Sequence, residues 1–315
     1  MNILCRQLSI DYPILQGGMG NVSHAELTAA ISEAGALGTI GAGTMPSEEI
    51  EEKLKAVKEL TERPFALNIP ISVQPYLEDV VALVFKYQVP VVSLSAGNPA
   101  PYIAAFKEKG IKVISVVASV KQAIKSEQLG ADIIVAEGYE AAGINSNYET
   151  TTLALIPQIV KAVSIPVVAA GGIGDGCGLL AMLALGAQGV QMGTRFIATQ
   201  EALVHAKYKE HILQTNDTGT VIVGRTVGRV RRLLNTPYAQ KLKELEAKGI
   251  TLEQLNDYTN EDRHIAGAIN GDVDEGHLNG GQIAGLIDDV PTVAQLIERM
   301  IEQAKVRKEQ LNKVL

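Results

Sequence analysis

The fold is decided by residues 165–196, "IPVVAAGGIGDGCGLLAMLALGAQGVQMGTRF". A β-branched apolar run passes through a glycine-rich turn into an apolar segment of helical length, and a second short run follows Gly186. Two strand-like runs joined in this way are typical of a βα unit with parallel strands. The uncharged window 176–194 is about long enough to cross a bilayer, but the break at Gly186 divides it into a helix and a strand. We therefore expect no membrane span.

The same unit recurs along the first two thirds of the chain, where short apolar runs alternate with amphipathic segments. One such segment is "SHAELTAAISEAG", in which Ser23 and Glu26 are expected to form a capping box and Gly35 to end the helix. Eight such units favour a closed (β/α)8 TIM barrel over an open doubly wound sheet. The predicted strands are "YPILQGG" from Tyr12, "ALGTIGAG" from Ala36, "PFALNIP" from Pro64, "VPVVSLSAG" from Val89, "IKVISVV" from Ile111, "ADIIVAEG" from Ala131, "IPVVAAGG" from Ile165 and "AQGVQMGT" from Ala187.

The regular alternation ends near Thr215, which suggests three parts. Residues 1–214 are expected to form the barrel, and residues 215–290 a small, mostly helical domain over its mouth. Residues 291–315 are expected to form a C-terminal helix that packs back on the barrel.

Composition restricts the class of function. A formal net charge of −7 argues against nucleic acid or an anionic membrane as partner. The two cysteines, Cys5 and Cys177, lie far apart and have no neighbours at metal-ligand spacing, so we predict neither a disulfide framework nor a metal site. The charged N-terminus does not fit a secretory signal. A cytoplasmic location is the expectation.

Small and amide-bearing residues end six of the predicted strands, at the barrel end where catalytic residues of this fold lie. Glycine there allows a flat ligand to approach the backbone. The loops after the seventh and eighth strands commonly form a phosphate site in such barrels. Because the chain lacks a Walker loop and a dinucleotide GxGxxG motif after the first strand, FMN fits best. The strand ends are "QGGM" (16–19), "LN" at Asn68, "SAGN" (95–98), "AEG" (136–138), "AAGG" (169–172) and "MGTRF" (192–196).

These motifs, together with "AEGYEAAG" and "GDVDEGHLNGGQIAGLI", resemble the family of FMN-dependent enoyl-acyl-carrier-protein reductases and nitronate monooxygenases. The resemblance runs in order along nearly the whole chain, and its last block points to the reductase branch. It implies an FMN-bearing barrel, usually dimeric, in which NADH or NADPH reduces the flavin and an enoyl thioester accepts the hydride. It also implies the following cofactor-binding residues: Gln16, Gly17, Gly18, Met19, Asn68, Ala96, Glu137, Gly143, Gly171, Gly172, Gly193 and Thr194.

One position departs from the family pattern. Relatives typically read E-A-G-G-H after the sixth strand, and this chain has Ile144 where the pattern has the histidine. Isoleucine cannot donate, accept or shuttle a proton. The catalytic candidates that would replace the histidine are Asn145, Tyr148 and His24. The polar loop that follows Ile144 is equally well explained as a simple connection to the next helix.

Two further groups of residues stay open at the sequence level. Four guanidinium groups in "GRTVGRVRRLL", namely Arg225, Arg229, Arg231 and Arg232, suit a nucleotide phosphate, a phosphopantetheine phosphate or an acidic carrier protein. Linker solvation or a dimer contact explains them equally well. His277 would approach the flavin if its loop folds over the barrel mouth.

The sequence thus predicts a cytoplasmic FMN-dependent NAD(P)H oxidoreductase resembling the enoyl reductases of fatty acid biosynthesis. A nitronate monooxygenase and a flavin-binding protein without turnover are the alternatives. The expected partners are a small-molecule or acyl thioester substrate, an acyl carrier protein and a second copy of the chain, with no nucleic acid and no membrane.

Overall fold

A computed structural model describes residues 2–314 of the chain. Eight parallel strands form the central sheet, and each begins within one of the eight runs that the sequence predicts. The short runs of Val, Ile and Ala suit strands that are buried on both faces. The barrel strands are β1 (Ile14–Gln16), β2 (Gly38–Gly41), β3 (Phe65–Pro70), β4 (Val91–Ser95), β5 (Lys112–Val117), β6 (Ile133–Glu137), β8 (Val167–Ala170) and β9 (Gly189–Met192).

The sheet order is β1-β9-β8-β6-β5-β4-β3-β2, and β1 meets β2 to close the ring. A parallel bridge joins Leu15 to Leu37. The Leu37 amide donates to the Ile14 carbonyl at 3.0 Å, and the Gln16 amide donates to the Leu37 carbonyl at 2.8 Å. The predicted (β/α)8 barrel is therefore confirmed.

Helices surround the barrel as predicted, with one error in detail. Ser23 does not form a capping box with Glu26, because His24 is the N-cap of the following helix and the Ser23 hydroxyl accepts the Met19 amide at 2.9 Å. The outer helices are α2 (Ala25–Glu33), α3 (Ser47–Leu60), α4 (Leu77–Lys86), α5 (Ala100–Glu108), α6 (Val120–Gln128), α7 (Thr152–Ala162) and α8 (Gly176–Ala184); α1 (Ile3–Leu8) precedes β1, and α9 (Thr194–Ile197) and α10 (Ala206–Leu213) follow β9.

Apolar side chains fill both layers of the barrel. One cluster combines alternate strand residues such as Leu15 and Val135 with Leu4 and Leu8 of α1, so α1 closes the end of the barrel opposite the strands' carboxyl ends. A larger cluster joins the other strand faces to the outer helices.

Residues 215–290 contain helices, as predicted, and also a small sheet that the sequence did not indicate. Its strands β10 (Thr220–Val223) and β11 (Arg231–Leu234) are antiparallel, and the third strand, β7 (Gly143–Ile144), comes from the loop after β6. Three helices follow: α11 (Pro237–Ala247), α12 (Leu252–Tyr258) and α13 (Glu261–Ala268). The loop after β6 is thereby fixed to the segment that covers it.

The last helix, α14 (Val293–Leu311), packs against α8 and α2. It therefore occupies the place of the eighth barrel helix, and residues 215–290 are inserted between the eighth barrel strand and this helix. Gly176 at the start of α8 permits the contact, because a Cβ there would lie 2.2 Å from the Met300 carbonyl oxygen of α14.

Candidate active site

A cavity of about 920 Å³ opens at the carboxyl ends of the barrel strands. Its volume is at the upper end of the roughly 300–1,000 Å³ typical of small-molecule sites. Loops after the barrel strands form its floor. Arg231, Glu261, His264 and Asn279, which belong to the inserted segment, form the opposite wall.

The structure brings together all but one of the residues predicted to bind the cofactor. Those that line the cavity are Gly17, Gly18, Met19, Asn68, Ala96, Glu137, Gly143, Gly171, Gly172, Gly193 and Thr194. Gln16 is the exception. It is 1% exposed, its Oε1 accepts the Thr39 amide at 2.9 Å, and its Nε2 donates to the Ser23 hydroxyl at 3.3 Å. Gln16 braces β1 to β2 and does not line the cavity.

Asn68 and Gly18 form a closely packed pair on the cavity floor. The Asn68 Nδ2 donates to the Ser93 carbonyl and to the Ser95 hydroxyl, both at 3.1 Å. These bonds fix the carboxamide and leave its Oδ1 as an acceptor. A Cβ on residue 18 would lie 2.3 Å from that oxygen, so only glycine fits beside Asn68.

The loops after β8 and β9 present unpaired backbone donors. Gly171 and Gly172 have φ values of +96° and +75°, a left-handed conformation that favours glycine. The amides of Gly172, Ile173 and Gly193 donate to no acceptor in the described part of the chain. The Thr194 hydroxyl lies beside them and accepts the Gly281 amide at 3.0 Å. This cluster of amides is suited to an anion such as a phosphate.

Glu137 ends β6 at the cavity floor. Burial raises the pKa of Glu137 to about 7, and no charged neighbour contributes to this shift. The carboxyl group therefore exchanges its proton near neutral pH, which is the range in which acid–base groups of active sites operate.

The loop after β6 carries Ile144 into the cavity wall, where its side chain is 38% exposed. The loop is held by Glu140, whose carboxylate accepts the Thr152 amide at 2.9 Å. Asn145 also lines the cavity, but its Nδ2 donates to the Ala141 carbonyl at 2.7 Å. Asn145 therefore helps to fix the loop.

The other two catalytic candidates lie outside the cavity wall. Tyr148 is 66% exposed on the outer side of the loop. His24 is the N-cap of α2, and burial together with the charge of Lys53 lowers its pKa. Neither side chain therefore lies in the cavity wall beside Ile144.

The four arginines predicted as one cluster have separate roles. Arg225 pairs with Glu149 at 2.6 Å on the outer surface. Arg232 is 3% exposed and donates to the Tyr139 carbonyl at 2.9 Å. Arg229 and Arg231 line the cavity. The alternation of inward and outward side chains along β11 separates Arg231 from Arg232.

A family model described as "Nitronate monooxygenase" matches residues 2–82 and 71–303. A "Probable nitronate monooxygenase" of Staphylococcus haemolyticus (strain JCSC1435) is 34% identical, with 96% of this chain and 97% of that protein aligned. The chain belongs to the nitronate monooxygenase family. Members of this family are FMN-dependent flavoenzymes, and the prediction of an FMN-dependent oxidoreductase is confirmed.

Two solved structures place the chain between the branches of the nitronate monooxygenase family. FabK from Thermotoga maritima is 40% identical, with a TM-score of 0.93 and 100% of this chain and 99% of FabK covered. A nitroalkane oxidase from Streptomyces ansochromogenes is 26% identical, with a TM-score of 0.86 and 98% and 99% covered. The resemblance to both branches that the motifs indicate is confirmed.

The residues present fit the FMN of the nitronate monooxygenase family. The unpaired amides at Gly172, Ile173 and Gly193 suit its phosphate. The space beside Gly18, with the free Oδ1 of Asn68, suits a flat ring that offers an N–H group. Both features are properties of this chain.

Sequence reasoning missed several residues of the wall opposite the barrel. Glu261 and His264 of α13 line the cavity and lie outside the family motifs. Asn279 also lines it and lies in the motif "GDVDEGHLNGGQIAGLI", but the motif alone did not single it out. His277 is fully buried behind Arg231, with its Nε2 3.1 Å from the Arg231 Nη1. The one sequence signal for this wall was the expectation that the loop carrying His277 folds over the barrel mouth.

No group of three or more His, Cys, Asp or Glu side chains within residues 2–314 could hold a metal ion. The acidic "GDVDEG" loop instead uses Glu275 to pair with Arg263 at 3.2 Å. None of the helices in the described part of the chain has the length and apolarity that a membrane crossing requires.

Proposed function

We propose that the protein is an NAD(P)H oxidoreductase whose electron acceptor is an unsaturated acyl thioester or another molecule with a polarised oxygen. The chemistry that bound FMN supplies is two-electron transfer from the reduced nicotinamide to the acceptor. The chain's own residues bind, orient and shield the reactants.

The observation that carries this proposal is Ile144 in the cavity wall. A reaction that begins with proton abstraction by the residue at this point is disfavoured, because an isoleucine side chain cannot take a proton. Hydride uptake and delivery need no base on this loop. The 40% identity to FabK supports the same branch of the family.

Each part of the cavity has a role in this proposal. Gly18 and Asn68 would hold the flat ring of the cofactor, and the amides after β8 and β9 would bind its phosphate. The inserted segment would shield the bound reactants from water, which would strengthen the electrostatic interactions inside the site. The involvement of an acyl carrier protein and of a second copy of the chain stays a prediction.

The test is anaerobic mixing of the FMN-loaded protein with NADH and with NADPH in a stopped-flow instrument. Loss of the visible flavin band at a rate compatible with turnover is expected with at least one of them. A subsequent screen of enoyl thioesters, quinones and nitro compounds for reoxidation would name the acceptor class. A band that neither nucleotide bleaches would contradict the proposal.

A nitronate monooxygenase is the second candidate, and Arg231 in the cavity favours it. A nitronate already carries its negative charge, so it requires a cationic binding group and no initial deprotonation. The printed name of the Staphylococcus haemolyticus relative agrees with this activity. Anaerobic bleaching by a nitronate in the absence of nicotinamide would support this candidate over the first.

A further inference from the structure

We propose that Arg231 and Asn279 form a subsite that binds the negatively charged or polarised oxygen of the electron acceptor. The chemistry recognised is that of a carboxylate, a nitronate or a thioester carbonyl. This inference deepens the proposed function and rests on it, because it places the acceptor in the flavin cavity.

The position of Arg231 follows from strand pairing. Arg231 of β11 is directly opposite Ile144 of β7 in an antiparallel register. Residues paired in this way project to the same face of the sheet, with Cβ atoms roughly 5 Å apart. Both side chains line the cavity. The guanidinium group therefore lies next to the position at which the family pattern has a histidine.

The hydrogen bonds of Arg231 leave most of its donors free. Its Nη1 lies 3.1 Å from the His277 Nε2 and 3.5 Å from the Asn279 Oδ1. A guanidinium group has five N–H donors. Within residues 2–314, no acceptor is bonded to Nε or Nη2. Three donors are thus available to a ligand oxygen, and the Asn279 amide nitrogen adds another.

The positive charge of Arg231 has no ion-pair partner in the described part of the chain. Glu261 acts on it through space. The Glu261 Oε1, however, is bound by the Asn21 Nδ2 at 2.8 Å and faces the His264 Nδ1 at 3.4 Å. Burial lowers the pKa of Arg231 to about 10, which still leaves the group protonated at neutral pH. An enclosed, unpaired charge is costly, and a ligand anion would relieve that cost.

His277 acts as a positioning residue for Arg231. Burial, followed by the charge of Arg231, lowers the pKa of His277 well below its usual value, so the ring is neutral. Its Nε2 then accepts from Arg231, and its Nδ1 carries the proton. The ring is fully buried and stacks on His264 with 5.2 Å between centroids. The neutral His277 ring thus holds the guanidinium group of Arg231 at the cavity wall without neutralising its positive charge.

The experiment compares two small probes of the same shape, crotonate and crotonamide, by calorimetric titration of the FMN-loaded protein at neutral pH. Crotonate is expected to bind more tightly. Arg231→Met should weaken crotonate binding roughly 10- to 100-fold, the range for a hydrogen bond to a charged group. Crotonamide binding should change little. Arg225→Met is the matched control and should leave both affinities unchanged, because Arg225 pairs with Glu149 outside the cavity.

A second variant separates binding from folding. Asn279→Ala removes one contact at the edge of the subsite, and a few-fold loss of crotonate affinity with an unchanged unfolding transition is expected. Equal wild-type affinity for the two probes, or crotonate binding that survives Arg231→Met, would overturn the inference.

Turnover assays identify which class of acceptor supplies the oxygen atom that Arg231 binds. A loss in Arg231→Met with propyl nitronate alone indicates an anionic substrate, whereas a loss with crotonyl thioester indicates a polarised carbonyl. A loss with neither would contradict the subsite. Because the calorimetric titration needs no reduced nicotinamide, a protein that binds crotonate through Arg231 but is not bleached by NADH or NADPH would refute only the proposed function.

Discussion

Glu137 shows how a single buried carboxyl group can make the stability of the protein depend on pH. Its pKa is raised to about 7, so the native state holds a proton that the unfolded chain releases above its ordinary pKa of 4.5. Between these values the native state binds more protons, and the free energy of unfolding must fall as pH rises. The loss is a few kcal/mol at most, and it is complete above the folded-state pKa.

Glu137→Gln should remove this dependence. Urea unfolding of the FMN-free protein at several pH values from 5 to 8 measures the effect. The variant should gain stability over the wild type as pH increases, while Glu62→Gln, a change at an exposed residue, should keep the wild-type slope. Parallel pH profiles for wild type and Glu137→Gln would contradict the assigned pKa.

Ile144→His tests whether the loop still supports the family chemistry. The Ile144 side chain is 38% exposed, and the loop is held by Glu140 and Asn145 independently of it. The variant should fold with a stability within about 1 kcal/mol of the wild type. It should gain turnover of a neutral nitroalkane, whose oxidation begins with loss of a proton, about 10-fold or more, since a positioned acid–base group contributes about 10²–10⁴-fold. Ile144→Leu is the size control, and equal rates in the two variants would refute the expectation.

Single residues of the cavity were largely predictable, because their positions depend on local backbone. Gly171 and Gly172 indicate left-handed turns after a strand, and these turns are suited to an anion. Gln16 does not line the cavity, because the same motif contains a buried brace as well as cavity residues. A side chain's partners, such as the Thr39 amide, are not encoded in the motif.

At the scale of elements, the contact between α8 and α14 depends on one glycine. A Cβ on residue 176 would lie 2.2 Å from the Met300 carbonyl oxygen, so Gly176→Ala must displace α14. The expected cost is about 1–3 kcal/mol of unfolding free energy, measured by urea denaturation. Gly178→Ala in the same helix is the control.

The control variant, Gly178→Ala, makes the same substitution in the same helix at a position with more space. A Cβ on residue 178 would approach no closer than 3.2 Å, to the Ile173 Cγ2 atom. The higher helix preference of alanine, about 1 kcal/mol, should offset that contact. Equal stability losses in the two variants would show that the α8–α14 contact is not the cause.

The barrel elements could be predicted, but the small sheet could not. The eight barrel strands can be recognised in the sequence because short apolar runs alternate regularly with helical segments. The third strand of the small sheet has two residues, Gly143–Ile144, and its pairing partner Arg231 is far away in sequence. So short a strand has no periodic pattern, and the register that places Arg231 beside Ile144 exists only in the folded chain.

At the scale of the whole molecule, the inserted segment converts an ordinary barrel end into an enclosed site. The barrel supplies the groups suited to FMN, whereas the insertion supplies Arg231, Glu261 and Asn279 on the opposite wall. The family and the cofactor are therefore readable from the barrel motifs. The proposed acceptor subsite lies in the less regular segment, which explains why its chemistry could be inferred only from the folded arrangement.

We propose above all that reduced nicotinamide is the electron donor for this flavoenzyme. The most direct test is the anaerobic stopped-flow reaction of the FMN-loaded protein with NADH and NADPH, followed at the visible flavin band. We predict that at least one nucleotide bleaches the band at a saturable rate and that an added acceptor restores it. A band that stays unchanged with both nucleotides, yet is bleached by a nitronate alone, would contradict the account.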